Sequence, residues 1–298
     1  MLQAALQAEL DDGEHPLLYV STPTFFGVSY VINPWMVNQV GHVNNDLAFK
    51  QWTELTTTLS ELTEVHIISC NVGILPDATF IANAGSFLPR HDGEYVFFSS
   101  KFKFPERRHE ERFFINTFID EGFKVDNLDG DYLFEGDGDL LRLRDLLVIG
   151  HGFRTSFSFI DKLSTYYGKE GVLALNLVDP RFYHLDTCFF YHYACGREAC
   201  TYFPQAFDSN SLSLLRKALR ERGIPALEVS EVDAVNMACN AVGIGDMIIA
   251  HKFSQKLKRW FEKHDFRTIA INLSEFHKAG GSAKCLTIRV PSQAVMHK

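Results

Sequence analysis

A histidine and a carboxylate two residues apart, His184 and Asp186, lie in the stretch Asp-Pro-Arg-Phe-Tyr-His-Leu-Asp that begins at Asp179. In an extended segment, residues at i and i+2 point to the same face. The imidazole could move a proton there while the carboxylate holds a cationic group beside it. Taken alone the pair reads better as a solvated patch, since any strand with two polar residues on one face presents one. Its company shifts that reading. In Ala-Gly-Gly-Ser-Ala-Lys-Cys, from Ala279 to Cys285, glycines let backbone approach a ligand closely just ahead of a thiol. Glu-Gly-Asp-Gly-Asp, from Glu135 to Asp139, sets three carboxylates among glycines. That loop lacks the rest of a calcium-binding loop, with no Glu at its twelfth position. It stands evenly between an acidic turn and carboxylates aimed at a planar cation, whose fork of donors they accept in pairs.

The elements that must position these residues repeat. Phe25 to Ile32 is rich in aromatic and β-branched residues and stops at Asn33-Pro34, which predicts a first strand. Helical spacing follows from Asp46 to Glu64, then a buried strand from Val65 to Ile68. Four further units then follow the order strand, turn, strand, helix, strand. The first runs from Thr79 to Val125, the second from Asp139 to Leu177. The third runs from Leu185 to Val229, with Ser209 as helix N-cap, and the fourth from Val235 to Ile271 with a Gly243-Ile244-Gly245 turn. Lys284 to Val290 is left as a lone strand that would complete the opening unit into a fifth copy. Repeats of about 50 residues favour a closed, propeller-like array over one open sheet, although alternating elements also occur in ordinary α/β layers. In a ring every repeat start faces one axis. Asn83, the Glu135 to Asp139 carboxylates, His184 and Asp186, Asn240 and Cys285 would then converge on one pocket.

The 298 residues suffice for a large core. Residues 1–16 read as a short helical or frayed leader and 17–298 as a single catalytic domain. The formal charge of −8 and pI near 5.8 argue against nucleic-acid binding and suit a cationic small substrate. The start of the chain is acidic, without a signal-like apolar run, and no later window approaches the roughly 20 apolar residues of a spanning helix. The expectation is a cytoplasmic protein with no membrane partner, and a homo-oligomer is compatible with the sequence. Six scattered cysteines without a Cys-x-x-Cys pair read as reduced thiols. A zinc site from Cys188, Cys195, Cys200 and His192 matches no familiar spacing.

With these segments assembled, the chain resembles the guanidino-group modifying superfamily of arginine deiminases, amidinotransferases, dimethylargininases and arginine dihydrolases. The resemblance runs from Pro23 to Val290. It rests on Pro23 to Met36, Pro76 to Gly85, Pro105-Glu106-Arg107-Arg108, Glu135 to Asp139, Gly152 to Thr155, Asp179 to Asp186, and Gly280 to Cys285. It implies an α/β fold, a five-bladed pseudo-symmetric α/β propeller (pentein) of ββαβ repeats. It further implies Cys285 as nucleophile, His184 as general acid and base, and Asp186 and Asp139 gripping a guanidinium with Glu135 or Asp137 in support. Asn83, Asn33 and Arg154 join the substrate-binding set, with no cofactor and no metal. Arginine deiminases carry Arg-Asp where this chain has Asn83-Ala84, and Glu where Phe153 stands. Both departures set the chain apart from plain arginine deiminases, and Asn83 directs the resemblance to the arginine dihydrolase branch, with dimethylargininase as the alternative. A cysteine protease or acyltransferase would leave the carboxylates without a role, and a non-catalytic arginine-binding pentein would not need Cys285 and His184.

Overall fold

The computed structural model describes residues 16–71, 75–90, 92–128 and 130–295. The expected leader, apart from Pro16, lies outside them. Within these residues the strands form five separate three-stranded sheets. Four share one connectivity: a leading strand pairs antiparallel with a central strand, a helix follows, and a third strand returns parallel to the central one. They are Gly85–Pro89, Tyr95–Ser99 and Val125–Asp126; Leu140–Leu143, Leu146–His151 and Val172–Asn176; Phe189–Ala194, Arg197–Tyr202 and Ala226–Glu228; and Val242–Ile244, Met247–Ala250 and Arg267–Ala270. In the fifth, Ile288–Val290 is the leading strand against Leu17–Ser21, which runs parallel to Val65–Ile68. The two ends of the described chain thus build one copy together.

Local chemistry explains the elements. Arg144 and Cys195 adopt positive φ of 53° and 54° in tight hairpin turns, the left-handed geometry that matches strand twist. The helix Asn45–Ser60 is capped by the Asn44 side chain and buries Ala48, Trp52, Leu55 and Leu59 on one stripe. Asp208, not Ser209, caps the helix Ser209–Glu221, accepting from the Ser211 amide. Leading strands of all five sheets contribute side chains to one central cavity of ≈1070 Å³.

Several boundaries differ from expectation. Phe25 to Ile32 forms no ladder; Phe26 and Val28 fill the core instead, with Phe26 stacked on Phe276 at 4.7 Å. Apolar alternation reports burial, and here an irregular segment satisfies it by packing. Val65–Ile68 is an outer strand rather than a buried one, Ile67 being 57% exposed. Thr79 to Ala82 is a turn running into the 3₁₀ segment Ile81–Ala84, and the strand starts at Gly85. Leu185–Thr187 is likewise a 3₁₀ turn ahead of its strand, and Val235 closes a short helix, Glu231–Val235. Gly243 and Ile244 belong to a strand, not to the turn. Cys285 sits in the turn before Ile288–Val290 rather than in the strand. The pattern is consistent: residues immediately before each leading strand form turns, and those turns carry the polar side chains.

Candidate active site

The five turns meet. The Asn240 side chain bridges to the last turn, its Nδ2 lying 3.1 Å from the Cys285 sulfur and its Oδ1 accepting the Cys285 amide at 3.2 Å. The Cys285 thiol donates to Asp186 Oδ2 at 3.3 Å. His184 Nε2 lies 2.9 Å from Glu135 Oε2, and the Ala82 amide, beside Asn83, donates to the Cys285 carbonyl at 3.2 Å. Close approach of these turns requires glycine at two points. At Gly136, φ is 61° and a Cβ would lie 2.5 Å from the Ala82 carbonyl. At Gly138 it would lie 2.4 Å from Asn83 Nδ2 and 3.2 Å from the His184 ring.

Cys285, His184 and Asn83 line a cavity of ≈270 Å³, together with Asn33, Asp77, Arg107, Arg154 and Tyr183. Its groups are buried and their protonation is perturbed accordingly. Burial, reinforced by Asp186, pushes the Cys285 thiol well above its usual range. Burial also pushes Asp186 up to about 7, against the pull of Lys284. For Glu135 burial raises the pKa, but Arg154 and His184 outweigh it and hold the carboxyl well below the usual range. His184 is lowered by burial to about 4 although Glu135 works the other way. At neutral pH the site therefore holds a thiol, an ionised Glu135 and a neutral imidazole. An ionised Glu135 accepts the Nε2 proton, leaving Nδ1 as the basic nitrogen.

Glu135 is the hub. Arg154 donates to it at 2.9 Å and the Lys103 amide at 3.2 Å, while Arg154 also stacks between Phe104 and Tyr183. Arg107 is buried, paired bidentately with Glu110 at 2.7 and 3.0 Å, and donates to Asn83 Oδ1 at 2.9 Å. That contact aims the Asn83 amide across the cavity, its Nδ2 reaching the Glu135 carbonyl at 3.5 Å.

Several expected site residues are placed otherwise than expected, and neither Asp186 nor Glu135 lines this cavity. His184 and Asp186 do not share the face of a strand: His184 precedes the 3₁₀ turn Leu185–Thr187, and the two side chains go to Glu135 and to Cys285. Asp139 does not line the cavity; its oxygens take the Thr155 hydroxyl at 2.7 Å and the Leu185 amide at 3.2 Å, which anchors the His184 turn from below. Asp137 faces the larger central cavity, 3.6 Å from Lys284. Asn33 caps the 3₁₀ turn Pro34–Met36 with its oxygen and spends its amide on the Tyr183 hydroxyl and the Ala279 carbonyl. Among the described residues no cluster of His, Cys, Asp or Glu could hold a metal ion, so Cys188, Cys195, Cys200 and His192 form no such site, and no disulfide joins Cys188, Cys195 or Cys200 to another cysteine.

Residue type alone does not single out Asp77. Its Oδ2 accepts the Tyr30 hydroxyl at 2.8 Å, while its buried Oδ1 has no hydrogen-bond partner. Asp186 Oδ1 is also buried without one. Two such carboxylate oxygens call for a donor-rich occupant, since unpaired buried acceptors cost about 1–3 kcal/mol each. Asp77, like Arg107, lies in a segment that carries the family resemblance, so the motif is the signal that finds it. Asn240 is found by its place at a repeat start.

Repeated ββαβ units whose leading turns bring together a thiol, an imidazole and buried carboxylates place the chain in the guanidino-group modifying superfamily. Comparison with known proteins narrows this. Residues 33–291 match the family model described as N,N dimethylarginine dimethylhydrolase, eukaryotic, and the chain belongs to that family. The bifunctional arginine dihydrolase/ornithine cyclodeaminase ArgZ of Synechocystis sp. is 40% identical over 90% of this chain and 37% of its own length. The chain thus spans little more than a third of that relative. The N(G),N(G)-dimethylarginine dimethylaminohydrolase of Mycobacterium tuberculosis is 31% identical over 91% of this chain and 84% of its own. The structure matches that of the N-terminal domain of ArgZ, an arginine dihydrolase solved as a cysteine-to-serine variant bound to substrate. The TM-score is 0.84 at 36% identity, covering 92% of this chain and 98% of that one.

Proposed function

We propose that the five units form one closed pseudo-symmetric propeller, a single catalytic domain over 17–298, that hydrolyses the guanidino group of arginine through Cys285 as an arginine dihydrolase. The ring reading is supported by the shared central cavity and by the pairing of Ile288–Val290 with Leu17–Ser21. The observation that carries the chemistry is the pair of unpartnered buried oxygens on Asp77, which lines the cavity with Cys285, and on Asp186, whose other oxygen takes the Cys285 thiol. A guanidinium supplies planar donors to both.

The steps follow from the protonation pattern. Cation entry stabilises the Cys285 thiolate, and its proton passes to the neutral His184 imidazole. Sulfur attacks the guanidinium carbon, a weak electrophile that covalent catalysis helps by dividing one step into two. His184 gives its proton to the departing nitrogen, ammonia leaves, and a thiouronium remains on sulfur. A water that loses a proton to His184 adds to the carbon, and the C–S bond breaks to give citrulline. In a second round the thiolate attacks the ureido carbon and expels ammonia. The carbamoyl group left on sulfur is hydrolysed, giving ornithine, ammonia and carbon dioxide overall. Asn83, held by Arg107, offers the uncharged ureido group hydrogen bonds without requiring a charge. Glu135 orients His184, and Asp139 supports its turn through Leu185 and Thr155.

The test is mass-spectrometric product analysis with L-arginine, citrulline and asymmetric dimethylarginine supplied separately. Ornithine and ammonia from arginine is the expected result. Citrulline from the methylated substrate alone would move the protein to dimethylargininase chemistry, a reading the family model and the mycobacterial relative favour. No turnover of any of the three would overturn the proposal.

A further inference from the structure

Asn240 lies between the short helix Glu231–Val235 and the strand Val242–Ile244, and it is fully buried. Its backbone is held on both sides: the amide donates to the Met237 carbonyl at 3.1 Å, and the carbonyl accepts the Lys284 amide at 3.4 Å. The side chain then meets Cys285 twice. Oδ1 accepts the Cys285 amide at 3.2 Å, while Nδ2 lies 3.1 Å from the Asp186 carbonyl and 3.1 Å from the Cys285 sulfur. The two backbone partners settle which way the carboxamide points, because the Cys285 N–H needs an acceptor and the Asp186 C=O needs a donor. The nitrogen therefore faces the sulfur, with one hydrogen for the Asp186 carbonyl and the other for Sγ.

Tying the Asp186 turn to the Cys285 turn takes only Oδ1 and the first hydrogen. The second is left for the sulfur, and its effect depends on the sulfur's charge. As a thiol, Cys285 donates to Asp186 Oδ2 at 3.3 Å and accepts from Asn240. As a thiolate it loses the bond to Asp186, whereas the bond from Asn240 becomes charge-assisted and roughly doubles in strength. Burial and Asp186 push the thiol up, and a backbone hydrogen bond from Ser282 and the Asn240 amide pull the other way. We propose that Asn240 is a catalytic residue whose side-chain amide is the fixed donor to the Cys285 sulfur whenever that sulfur carries negative charge. This rests on the reading of Cys285 as the nucleophile. The charge appears twice in each round: when the thiol gives up its proton before attack, and when the C–S bond breaks and its electron pair returns to sulfur. A donor aimed at the sulfur serves both steps and acts on kcat rather than on substrate binding.

Asn240→Ala and Asn240→Asp separate this role from a structural one. The first removes donor and acceptor together; the second keeps Oδ1 for the Cys285 amide and puts a carboxylate oxygen in place of the donor. Both leave Asp186 on the sulfur and the charged lining of Asp77, Arg107, Arg154, Tyr183 and His184 in place, with Lys284 turned to Asp137. Iodoacetamide alkylation of Cys285 is followed by peptide mass spectrometry above the Asp186 pKa of about 7. Loss of the charged hydrogen bond should cut the thiolate fraction of Asn240→Ala about tenfold. The rate should fall about threefold or more, once the greater nucleophilicity of a more basic thiolate is counted. Asn240→Asp should be slower still. With arginine, kcat should fall about tenfold or more in both variants while KM stays within about twofold. Alkylation of Asn240→Asp at the wild-type rate, or a loss confined to KM, would overturn the proposal. If arginine is not turned over at all, the activity assigned to Cys285 fails, and the order of alkylation rates still decides the role of Asn240. If neither variant folds, wild-type protein carrying [15N]asparagine gives a second reading by NMR. One side-chain amide should shift with pH in step with Cys285 alkylation and lose that shift in Cys285→Ala; no amide that follows Cys285 would refute the role.

Discussion

Replacing Asp186 with Asn separates two effects that one carboxylate exerts on Cys285. Its Oδ2 lies 3.3 Å from the sulfur. At that distance and an effective dielectric of about 20, repulsion between carboxylate and thiolate is about 5 kcal/mol, so the two charges do not coexist without a bound cation. Burial places the Asp186 pKa at about 7. Near neutral pH the carboxylate is already half protonated, and removing its charge should raise the thiolate fraction of the empty enzyme only about twofold. At pH 8.5, about 1.5 units above that pKa, wild-type thiolate formation must also drive a proton onto Asp186. The variant should then be ahead by about thirtyfold. Iodoacetamide alkylation of Cys285, followed by peptide mass spectrometry to separate it from the exposed Cys195, reads that ratio across pH. Turnover should move the opposite way, since the guanidinium loses a charged partner worth about 3 kcal/mol, or about 100-fold in kcat/KM. An alkylation ratio that stays flat with pH, or lies below one, would refute the electrostatic reasoning. Undiminished kcat/KM would remove Asp186 from substrate recognition.

Other outcomes follow from the same geometry. Asn83→Ser should halt the reaction at citrulline, because the ureido group loses its amide partner; unchanged ornithine yield would sink that role. Gly138→Ala puts a Cβ against Asn83 and His184 and should cost about 100-fold in kcat with a smaller loss of stability, checked by kinetics beside denaturant unfolding. Glu110→Gln leaves Arg107 buried without its carboxylate and should lower unfolding free energy by about 3–5 kcal/mol, measured in urea. His184 has a folded pKa of about 4, below its usual 6.5. The unfolded chain takes up that proton first as pH falls, so this contribution is present above pH 6.5 and lost on descending towards 4. A His184→Gln variant should therefore lose stability less steeply than wild type over that window, and parallel slopes would contradict the burial argument.

The repeat order and its alternation of strands and helices were legible because they depend on local periodicity. The helix expected from Asp46 to Glu64 runs from Asn45 to Ser60. The errors cluster where aromatic runs serve the core without pairing, as from Phe25 to Ile32, and where a strand was expected to begin too early, as at Thr79 and Leu185. Both have one cause: a side-chain pattern reports which face is buried, whereas ladder pairing depends on partners far along the chain.

By itself the sequence determined the inventory of the site and its periodic spacing, with a thiol, an imidazole and carboxylates placed at repeat starts, and glycines where backbones must nearly touch. Only the tertiary structure decided which groups face which cavity. Asp139 is turned under the His184 loop by Thr155 and Leu185, and Asp137 is drawn to Lys284, while Asp77, 58 positions before Glu135, lines the Cys285 cavity. Hydrogen bonds between residues far apart in sequence make that choice, and a buried carboxylate points wherever its donors are.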